Sequence, residues 1–452
     1  MKQYLQSSYP ESLNRLYKDS VCNIKWVMLD DDPTGVQTLH DVTVYTQINE
    51  QSIRQGFLED KNIFVLLTNS RALQKDETER LHREIASLCD KVSRELNIPY
   101  LFLSRSDSTL RGHYPLETDV LNEILKADAT VLCPFFLEGN RFTIHNEHYI
   151  LMNDELVKAQ DSEFAKDNTF GYSSSNLFDY AIEKHGGSYP ENKIKHIDID
   201  DLRNMDMAKI SSVLMNLVNG DILTVDACTY DDLKVFVLCL HQAINSGKRY
   251  IFRLAASLVK VIAGISDKAL LSKNEIIDPA SKGGLVICGS HTAKTNSQIE
   301  KLKLRADVVS LEFDVNRISE AESERVRKEA ESFLLDDKVV LIYTSRLVVK
   351  SKDKAESLRI STSISDALTE IVNKLNVKPG FIIAKGGITS SDIGVKGLGV
   401  KRANVMGQIK PGIPVWSCDE DSKFNNLPYI IFPGNVGYDN TLKEIVDELR
   451  KN

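Results

Sequence analysis

The sequence lacks the signals of several protein classes. Its seven cysteines never occur as C-x-x-C, and several lie within apolar runs, which indicates buried thiols in a reducing compartment rather than a disulfide or zinc framework. No apolar run is long enough to span a bilayer, and the opening M-K-Q-Y-L-Q-S-S-Y-P has no apolar signal-peptide core. The net charge of −8 gives no overall field that attracts nucleic acid. We therefore expect a cytoplasmic protein with neither a membrane nor a nucleic-acid partner, and a homo-oligomer stays open.

The length and the apolar pattern predict two α/β domains. A chain of 452 residues is too long for one ordinary hydrophobic core. Short apolar runs alternate with amphipathic helical stretches, which is typical of a mostly parallel sheet covered by helices. The polar stretch 266–283 marks a boundary, so we expect domains over 1–275 and 276–452. Each is predicted to hold a mostly parallel sheet flanked by helices, with the active-site cleft between the domains.

The predicted strands are the short apolar runs. In the first domain they are 26–30, 42–46, 63–68, 100–104, 130–133, 222–226 and 250–253. In the second domain they are 284–288, 307–311, 339–344, 381–384, 413–417 and 429–432. Between the two groups, the polar residues 158–196 are expected to form loops and short helices.

The first chemical constellation is D-D-D-P-T-G at 30–35, directly after the apolar run W-V-M-L. In open α/β sheets the carboxyl ends of the strands face the ligand. Asp30, Asp31 and Asp32 would then lie at the mouth of a site, where Gly35 allows the backbone to approach a ligand closely. The alternative is an acidic turn that caps the next helix.

The second constellation is S-R-S-D-S-T-L-R-G-H, residues 104–113, after the strand Y-L-F-L. It places Arg105, Asp107 and Arg111 on one loop together with several hydroxyls. The planar guanidinium of arginine suits a carboxylate or a phosphate. We therefore favour an anion-binding loop over the alternative, a solvated start of a helix.

A third constellation follows the strand that ends at Cys133. The turn Gly139-Asn140-Arg141 would present a cation to a ligand. His145 and His148 would share one face if this segment were helical, which raises the possibility of a metal. No third ligand is evident, so surface or substrate-contacting histidines are the favoured interpretation.

Three turns rich in Gly, Ser and Thr follow strands of the second domain, at 289–291, 385–392 and 433–437. Close backbone approach and free N–H groups are what a nucleotide phosphate needs. Each turn alone could be an ordinary connection, but together they favour nucleotide binding. The P-loop, the dinucleotide fingerprint and the protein-kinase motifs are all absent from the sequence.

At these residues the chain resembles the four-carbon acid sugar kinases, which phosphorylate tetronates such as erythronate, threonate and 3-oxo-tetronate with ATP. The matching stretches are D-D-P-T-G (31–35), S-T-L-R-G (108–112), G-S (289–290), G-G-I-T-S (386–390) and G-N-V-G (434–437). The resemblance implies an N-terminal domain that binds the acid sugar and a C-terminal domain that binds ATP with Mg²⁺. The sequence departs from the family pattern at Pro33, where phenylalanine is common, and at Ile388, where glutamate is common.

Together, the residues and the resemblance predict an ATP-dependent acid sugar kinase, a phosphotransferase with an alcohol acceptor. The predicted catalytic residues are Asp31 and Asp32, one of them the base, with Asp31 slightly preferred. The predicted substrate-binding residues are Arg105, Asp107, Arg111, Asn140 and Arg141, with the substrate carboxylate held by Arg111 and Arg105 as a possible second contact. The predicted nucleotide-binding residues are Ser290, Gly387, Ile388, Thr389, Ser390, Gly434 and Asn435. No metal ligand is assigned.

Two alternatives belong to other functional classes. A catalytically inactive sensor that binds a nucleotide and a sugar acid would keep the same turns without turnover. A dehydrogenase-like enzyme is disfavoured because the dinucleotide fingerprint is missing. The identity of the acid and of the phosphorylated hydroxyl stays open at this stage.

Overall fold

The computed structural model describes residues 2–289, 292–345, 354–434 and 436–451. The chain forms two compact units. The first contains Met1–Gly35 and Gln47–Asp267, and the second contains Val36–Thr46 and Lys268–Asn452. The domain boundary at 275 stays a prediction. Within the described ranges, every helix is too short or too polar to cross a bilayer.

The strands are numbered along the chain. They are β1 Lys25–Asp30, β2 Val42–Tyr45, β3 Ile63–Leu67, β4 Tyr100–Arg105, β5 Ala129–Cys133, β6 Arg141–Ile144, β7 Glu147–Met152, β8 Glu155–Lys158, β9 Ile194–Ile197, β10 Asp221–Val225, β11 Tyr250–Leu254, β12 Gly284–Cys288, β13 Val308–Phe313, β14 Val339–Thr344, β15 Ile382–Lys385, β16 Arg402–Lys410, β17 Ile413–Cys418 and β18 Pro428–Phe432.

The α-helices are numbered in the same way. They are α1 Ser12–Asp19, α2 Glu50–Leu58, α3 Lys75–Leu96, α4 Leu116–Leu125, α5 Leu177–Lys184, α6 Ile199–Arg203, α7 Met207–Asn216, α8 Tyr230–Asn245, α9 Ala256–Ile262, α10 Lys273–Ile276, α11 Ala293–Leu302, α12 Glu320–Leu335, α13 Lys354–Asn373, α14 Gly387–Asp392 and α15 Thr441–Leu449. A π-helical turn, Ile393–Gly397, continues α14.

The sheet of the first unit is parallel, with the strand order β3-β1-β4-β11-β5-β10-β9. Its central strands are near-continuous apolar runs that are buried along their whole length, as parallel strands covered on both faces must be. Helices α2, α4 and α9 pack against β3, β4 and β11. Because β3, β1 and β4 are neighbours, the residues after them meet at one edge of the sheet.

A small antiparallel sheet, β6-β7-β8, also belongs to the first unit. Its turns contain His145, Asn146, Asn153 and Asp154, all with positive φ, which is the geometry of tight hairpin connections. The segment 141–158 is therefore a meander rather than a helix, and His145 and His148 do not share a helix face.

In the second unit, β13-β14-β12-β15-β18 are parallel, and β17, β16 and β2 continue the sheet with antiparallel pairing. The main core lies between this sheet and helices α10, α11 and α15. The order places β12, β15 and β18 side by side, so the three Gly-rich turns follow neighbouring strands. The predicted fold class, α/β with mostly parallel sheets flanked by helices, is confirmed.

Candidate functional site

A cluster of aspartates and arginines forms at the carboxyl ends of β1, β3 and β4. Asp30 pairs in register with Leu67 of β3 and with Arg105 of β4, so the strands end at the same level. After β3 the chain turns back, and the backbone N–H groups of Thr68 and Asn69 both donate to the carbonyl of Asp30, at 2.9 and 3.2 Å. This turn brings Arg71 to the aspartates.

Asp31 is the centre of the cluster and is 2% exposed. Arg71 donates to both of its oxygens, from Nε at 3.1 Å and from Nη2 at 2.6 Å. Nη1 of Arg105, at 3.4 Å, and the hydroxyl of Ser106, at 2.5 Å, complete its contacts. Burial raises the pKa of Asp31, but the two arginines and Ser106 outweigh it and hold the pKa below its usual range. Asp31 is therefore an ionised anchor for the arginines.

Asp30 lies behind Asp31 and is fully enclosed. Its Oδ1 accepts from Nη1 of Arg105 at 3.2 Å, and its Oδ2 has no hydrogen-bond partner among the described residues. Burial raises the pKa of Asp30 to about 8, against the opposing effect of Arg105. A Cβ added to Gly35 would overlap this carboxyl group, so glycine is required at that position.

Asp32 is the most accessible of the three aspartates, with its side chain 15% exposed. Its Oδ1 accepts from the backbone N–H of Thr34 at 2.8 Å and from the Thr34 hydroxyl at 2.6 Å. Its Oδ2 lies 3.5 Å from Nη1 of Arg71, the one ion pair that Asp32 forms with the described residues. Asp32 thus presents one carboxylate oxygen at the edge of the cluster that a substrate hydroxyl could reach.

The loop after β4 is fixed from several sides. Nε of Arg111 donates to Asp107 at 2.8 Å, and Nη2 of Arg253 donates to the Arg111 carbonyl at 2.8 Å. Burial raises the pKa of Asp107, but Arg111 and Arg71 hold it well below its usual range. Beneath the loop, the buried ring of His148 contacts the Ser108 carbonyl at 2.8 Å, and burial lowers its pKa to about 4. His148 is therefore a neutral support of the loop.

Two arginines approach the ring of Phe164. Arg111 lies 4.9 Å and Arg141 5.9 Å from the ring centroid. Arg111 is engaged by Asp107 and lies 3.6 Å from Asp167. Arg141 follows the turn residue Asn140, whose φ is positive, and makes no ion pair within the described ranges. Burial lowers the pKa of Arg141, Asp107 opposes this, and the charge of Arg111 adds to the lowering, an environment that an anionic ligand would relieve.

Histidines and aspartates also meet elsewhere in the first unit. Nδ1 of His145 lies 2.9 Å from Asp198, and Nε2 of His196 lies 3.0 Å from Asp226. The side-chain atoms of His145, Asp198 and Asp200 that could bind a metal lie within 4.8 Å of one another, and so do those of His196, Asp198 and Asp226. Most of these side chains form hydrogen bonds with one another or with nearby backbone groups. Nε2 of His196 has no hydrogen-bond partner among the described residues, and we assign no metal to either group.

In the second unit, the turns after β12 and β15 touch closely. A Cβ on Gly289 would overlap the hydroxyl of Thr389, and Gly386 has a φ of +122°, which favours glycine. Ser390 is buried, and its hydroxyl donates to the Gly387 carbonyl at 3.0 Å. Gly434 is half-buried at the turn after β18.

Some predicted nucleotide residues cannot be placed. Ser290 and Asn435 lie outside the described residues, and Ile388 is described only as part of the backbone of α14.

The sequence reasoning missed Arg71 and Lys385. Arg71 donates two hydrogen bonds to Asp31, and it follows the strand I-F-V-L-L in the turn T-N-S-R. A polar turn with an arginine after an apolar strand is the same signal that identified Arg105. Lys385 ends β15 and is fully buried. Each of the two candidate sites therefore holds a cation that the sequence analysis did not identify.

The fold and the two polar sheet edges define a two-domain α/β protein with a potential ligand site in each domain. Residues 26–262 match the family described as "Sugar-binding N-terminal domain", and residues 285–442 match "Nucleotide-binding C-terminal domain". The chain belongs to the four-carbon acid sugar kinase family.

Known proteins are similar to this chain over nearly its full length. A D-erythronate kinase from Heliobacterium modesticaldum is 24% identical, covering 94% of this chain and 96% of the relative. A protein from Haemophilus influenzae has the same fold, with a TM-score of 0.63 and 17% identity over 94% of this chain and 100% of that one. A protein from Salmonella typhimurium LT2 gives a TM-score of 0.67 and 15% identity over 93% and 98%.

Proposed function

We propose that the protein is an ATP-dependent kinase that phosphorylates a hydroxyl of a small sugar acid of the tetronate type, such as erythronate, threonate or 3-oxo-tetronate. The observation that carries the proposal is the cluster at the end of β1. There, Arg71 binds a buried, ionised Asp31 while Asp32 keeps an accessible carboxylate oxygen. A kinase acceptor site needs this combination of fixed cations and one available base.

For the proton of the acceptor hydroxyl we favour Asp32 over Asp31. Both oxygens of Asp31 already accept short hydrogen bonds from Arg71 or Ser106, and its lowered pKa makes it a weak base. Oδ2 of Asp32 has one cationic neighbour at 3.5 Å and stands at the accessible side of the cluster. Asp31 would hold Arg71 in place, and Arg71, 20% exposed, would contact the substrate.

For the carboxylate of the acid we favour Arg141, assisted by Arg111. Arg141 is a largely enclosed cation without a carboxylate partner among the described residues, whereas Arg111 is paired with Asp107. A planar guanidinium binds a carboxylate through two parallel hydrogen bonds. Arg105 is a weaker candidate than expected, because it is 5% exposed and contacts Asp30 and Asp31 instead.

The nucleotide would bind at the turns after β12, β15 and β18. The close contact of Gly289 with Thr389 holds the turns after β12 and β15 together. The positive φ of Gly386 marks a glycine at the start of α14, where a phosphate could approach the backbone. Mg²⁺ fits as an ion carried by the phosphates, whose charge it neutralises, because Asp30 and Asp31 are already engaged by arginine. The cleft between the domains, in which the two substrates would meet, stays a prediction.

Release of ADP from MgATP, measured against aldonic and keto-aldonic acids of three to six carbons, tests this proposal. We expect turnover with one or a few four-carbon acids and none with the corresponding neutral sugars. Bound nucleotide without ADP release for any acid would favour the alternative of an inactive sensor.

The role of Asp32 is tested by Asp32→Asn, which keeps the size of the side chain and removes its basicity. We expect kcat to fall by about 10²- to 10⁴-fold, the usual value of a general base. Asp19→Asn is the matched control, since the Asp19 side chain is 73% exposed. Unchanged kcat in Asp32→Asn would exclude Asp32 as the base.

A further inference from the structure

A lysine is buried beneath the Gly-rich turns of the second unit. Lys385 is the last residue of β15 and has no solvent exposure. Its ammonium group donates to the carbonyl of Pro433 at 3.2 Å and lies 3.7 Å from the centroid of the Phe432 ring. Within the described ranges it forms no ion pair with a carboxylate, in contrast to the buried Arg105 of the first unit.

This position is costly for a positive charge. Burial lowers the pKa of Lys385 to about 8, and the charge of Lys294 lowers it further, while the Cys288 thiol opposes the change. Buried charges are normally paired, since an unpaired ion loses its hydration without compensation. A lysine without an acidic partner at this site is therefore suited to an anion that is absent from the apo protein.

The surroundings of Lys385 indicate which anion it would meet. The next residue, Gly386, begins the turn into α14, and Pro433 precedes the glycine of the turn after β18. The lysine thus ties together two of the turns to which the proposed function assigns the nucleotide. Lys294 lies at the start of α11, which follows the Gly-rich turn after β12. Its charge adds positive potential near Lys385.

We propose that Lys385 is the buried counter-charge for the polyphosphate of the nucleotide and positions the Pro433 turn against it. This inference rests on the proposed function and adds a specificity to it. The site would select nucleoside di- and triphosphates over nucleosides through charge, while the base and ribose bind independently of Lys385.

The test compares Lys385→Met with wild type in the full-length protein. Methionine keeps the length and apolar stem of the side chain and removes its charge, so the melting temperature of the apo protein should stay the same or rise. The affinity for MgATP and MgADP, measured by calorimetry, should fall by about tenfold or more, the value of a charge-assisted contact. The affinity for adenosine should not change. Lys385→Gln replaces this variant if Lys385→Met does not fold.

Lys378→Met provides the matched control. Lys378 is also in the second unit, and its ammonium group also donates to a backbone carbonyl, that of Asn425 at 2.7 Å, but it is exposed. Lys378→Met should leave the affinities for MgATP, MgADP and adenosine unchanged.

The outcomes separate the two proposals. Wild type that does not bind MgATP contradicts the proposed function and this inference with it. If wild type and Lys385→Met bind MgATP with equal affinity, the role of Lys385 is overturned and the proposed function is not. Equal losses for adenosine and MgATP would also overturn it, because they would show a structural role in the turns rather than recognition of charge.

Discussion

Arg71 connects the two aspartates after β1, and replacing it with methionine measures what that connection contributes. The side chain donates twice to Asp31 and lies 3.5 Å from Asp32. Methionine retains most of the apolar stem and removes the guanidinium. The variant therefore leaves a buried carboxylate with fewer partners and little change in packing.

The expected cost follows from the partners that remain. Removing one partner of a buried ion pair usually costs about 3–5 kcal/mol in the free energy of unfolding. Asp31 keeps Ser106 at 2.5 Å and Arg105 at 3.4 Å, so we expect about 2–4 kcal/mol for Arg71→Met. Arg71→Lys keeps the charge but not the planar fork and should lie between wild type and Arg71→Met.

Urea unfolding near pH 7 measures this cost, and Arg83→Met is the control. Arg83 also has two carboxylate partners, Glu79 and Glu123, but its side chain is 45% exposed. Such surface pairs contribute at most about 1 kcal/mol. Equal costs for the two variants would refute the view that Arg71 neutralises a buried carboxylate.

The pH dependence provides a second check on Arg71. Folding lowers the pKa of Asp31, so its contribution to stability is complete above the unfolded pKa of about 4 and is lost as the pH falls toward the folded pKa. The difference between wild type and Arg71→Met should therefore be constant near neutral pH and shrink below about pH 4. A difference that grows on acidification would contradict an ionised Asp31.

Three further predictions concern the support of the site. Gly35→Ala forces a methyl group onto the carboxyl of Asp30 and should lower the free energy of unfolding by about 1–3 kcal/mol or more. The control is Gly397→Ala, whose added carbon comes no closer than 3.3 Å to a neighbour and which should lower it clearly less. Folding lowers the pKa of His148 to about 4, so on acidification His148 takes up a proton in the unfolded chain before it does so in the folded protein. The free energy of unfolding of wild type should therefore fall by up to about 1.4 kcal/mol per pH unit below about pH 6.5. His148→Gln should show a smaller loss in urea unfolding, and an identical pH profile would contradict a buried neutral ring. Arg141→Met should raise KM for the acid about tenfold or more with little change in stability, because Arg141 forms no ion pair with a carboxylate of the described residues. An unchanged KM would move the carboxylate site elsewhere.

The strands at the centre of each sheet are predictable because burial on both faces produces continuous apolar runs. W-V-M-L in β1 and G-L-V-I-C in β12 show this directly. The meander β6-β7-β8 does not produce such runs, because its strands are short. Buried residues of β7 alternate with partly exposed ones, and β8 has no buried residue. The available signal is the pair of turns His145-Asn146 and Asn153-Asp154, spaced for a hairpin.

Pairing between strands that are distant in sequence also limits how much of the fold can be predicted. Residues 36–46 follow the first aspartates in sequence, yet they belong to the second unit, because β2 pairs with β16. No local pattern in V-T-V-Y reports which strand it joins. The strand β16 itself was missed, since R-A-N-V-M-G-Q-I-K alternates polar and apolar residues and contains a glycine.

In the site, the sequence identifies which residues follow strands but not how they pair. Asp31, Asp32 and Arg105 were predicted from the polar residues after apolar runs, and the structure brings them together. The different environments of Asp30, Asp31 and Asp32 depend on Arg71, Arg105 and Gly35 approaching from separate elements. Strand order determines that approach, and it is not encoded in any single turn.

The central claim is phosphoryl transfer to a hydroxyl of a sugar acid. The most direct test incubates the protein with MgATP and erythronate, threonate or 3-oxo-tetronate and analyses the acid by mass spectrometry. We predict an acid that carries one phosphoryl group, formed in equal amount to ADP, and formed about 10²- to 10⁴-fold more slowly by Asp32→Asn. ADP formed together with free phosphate, with the acid unmodified, would contradict the claim.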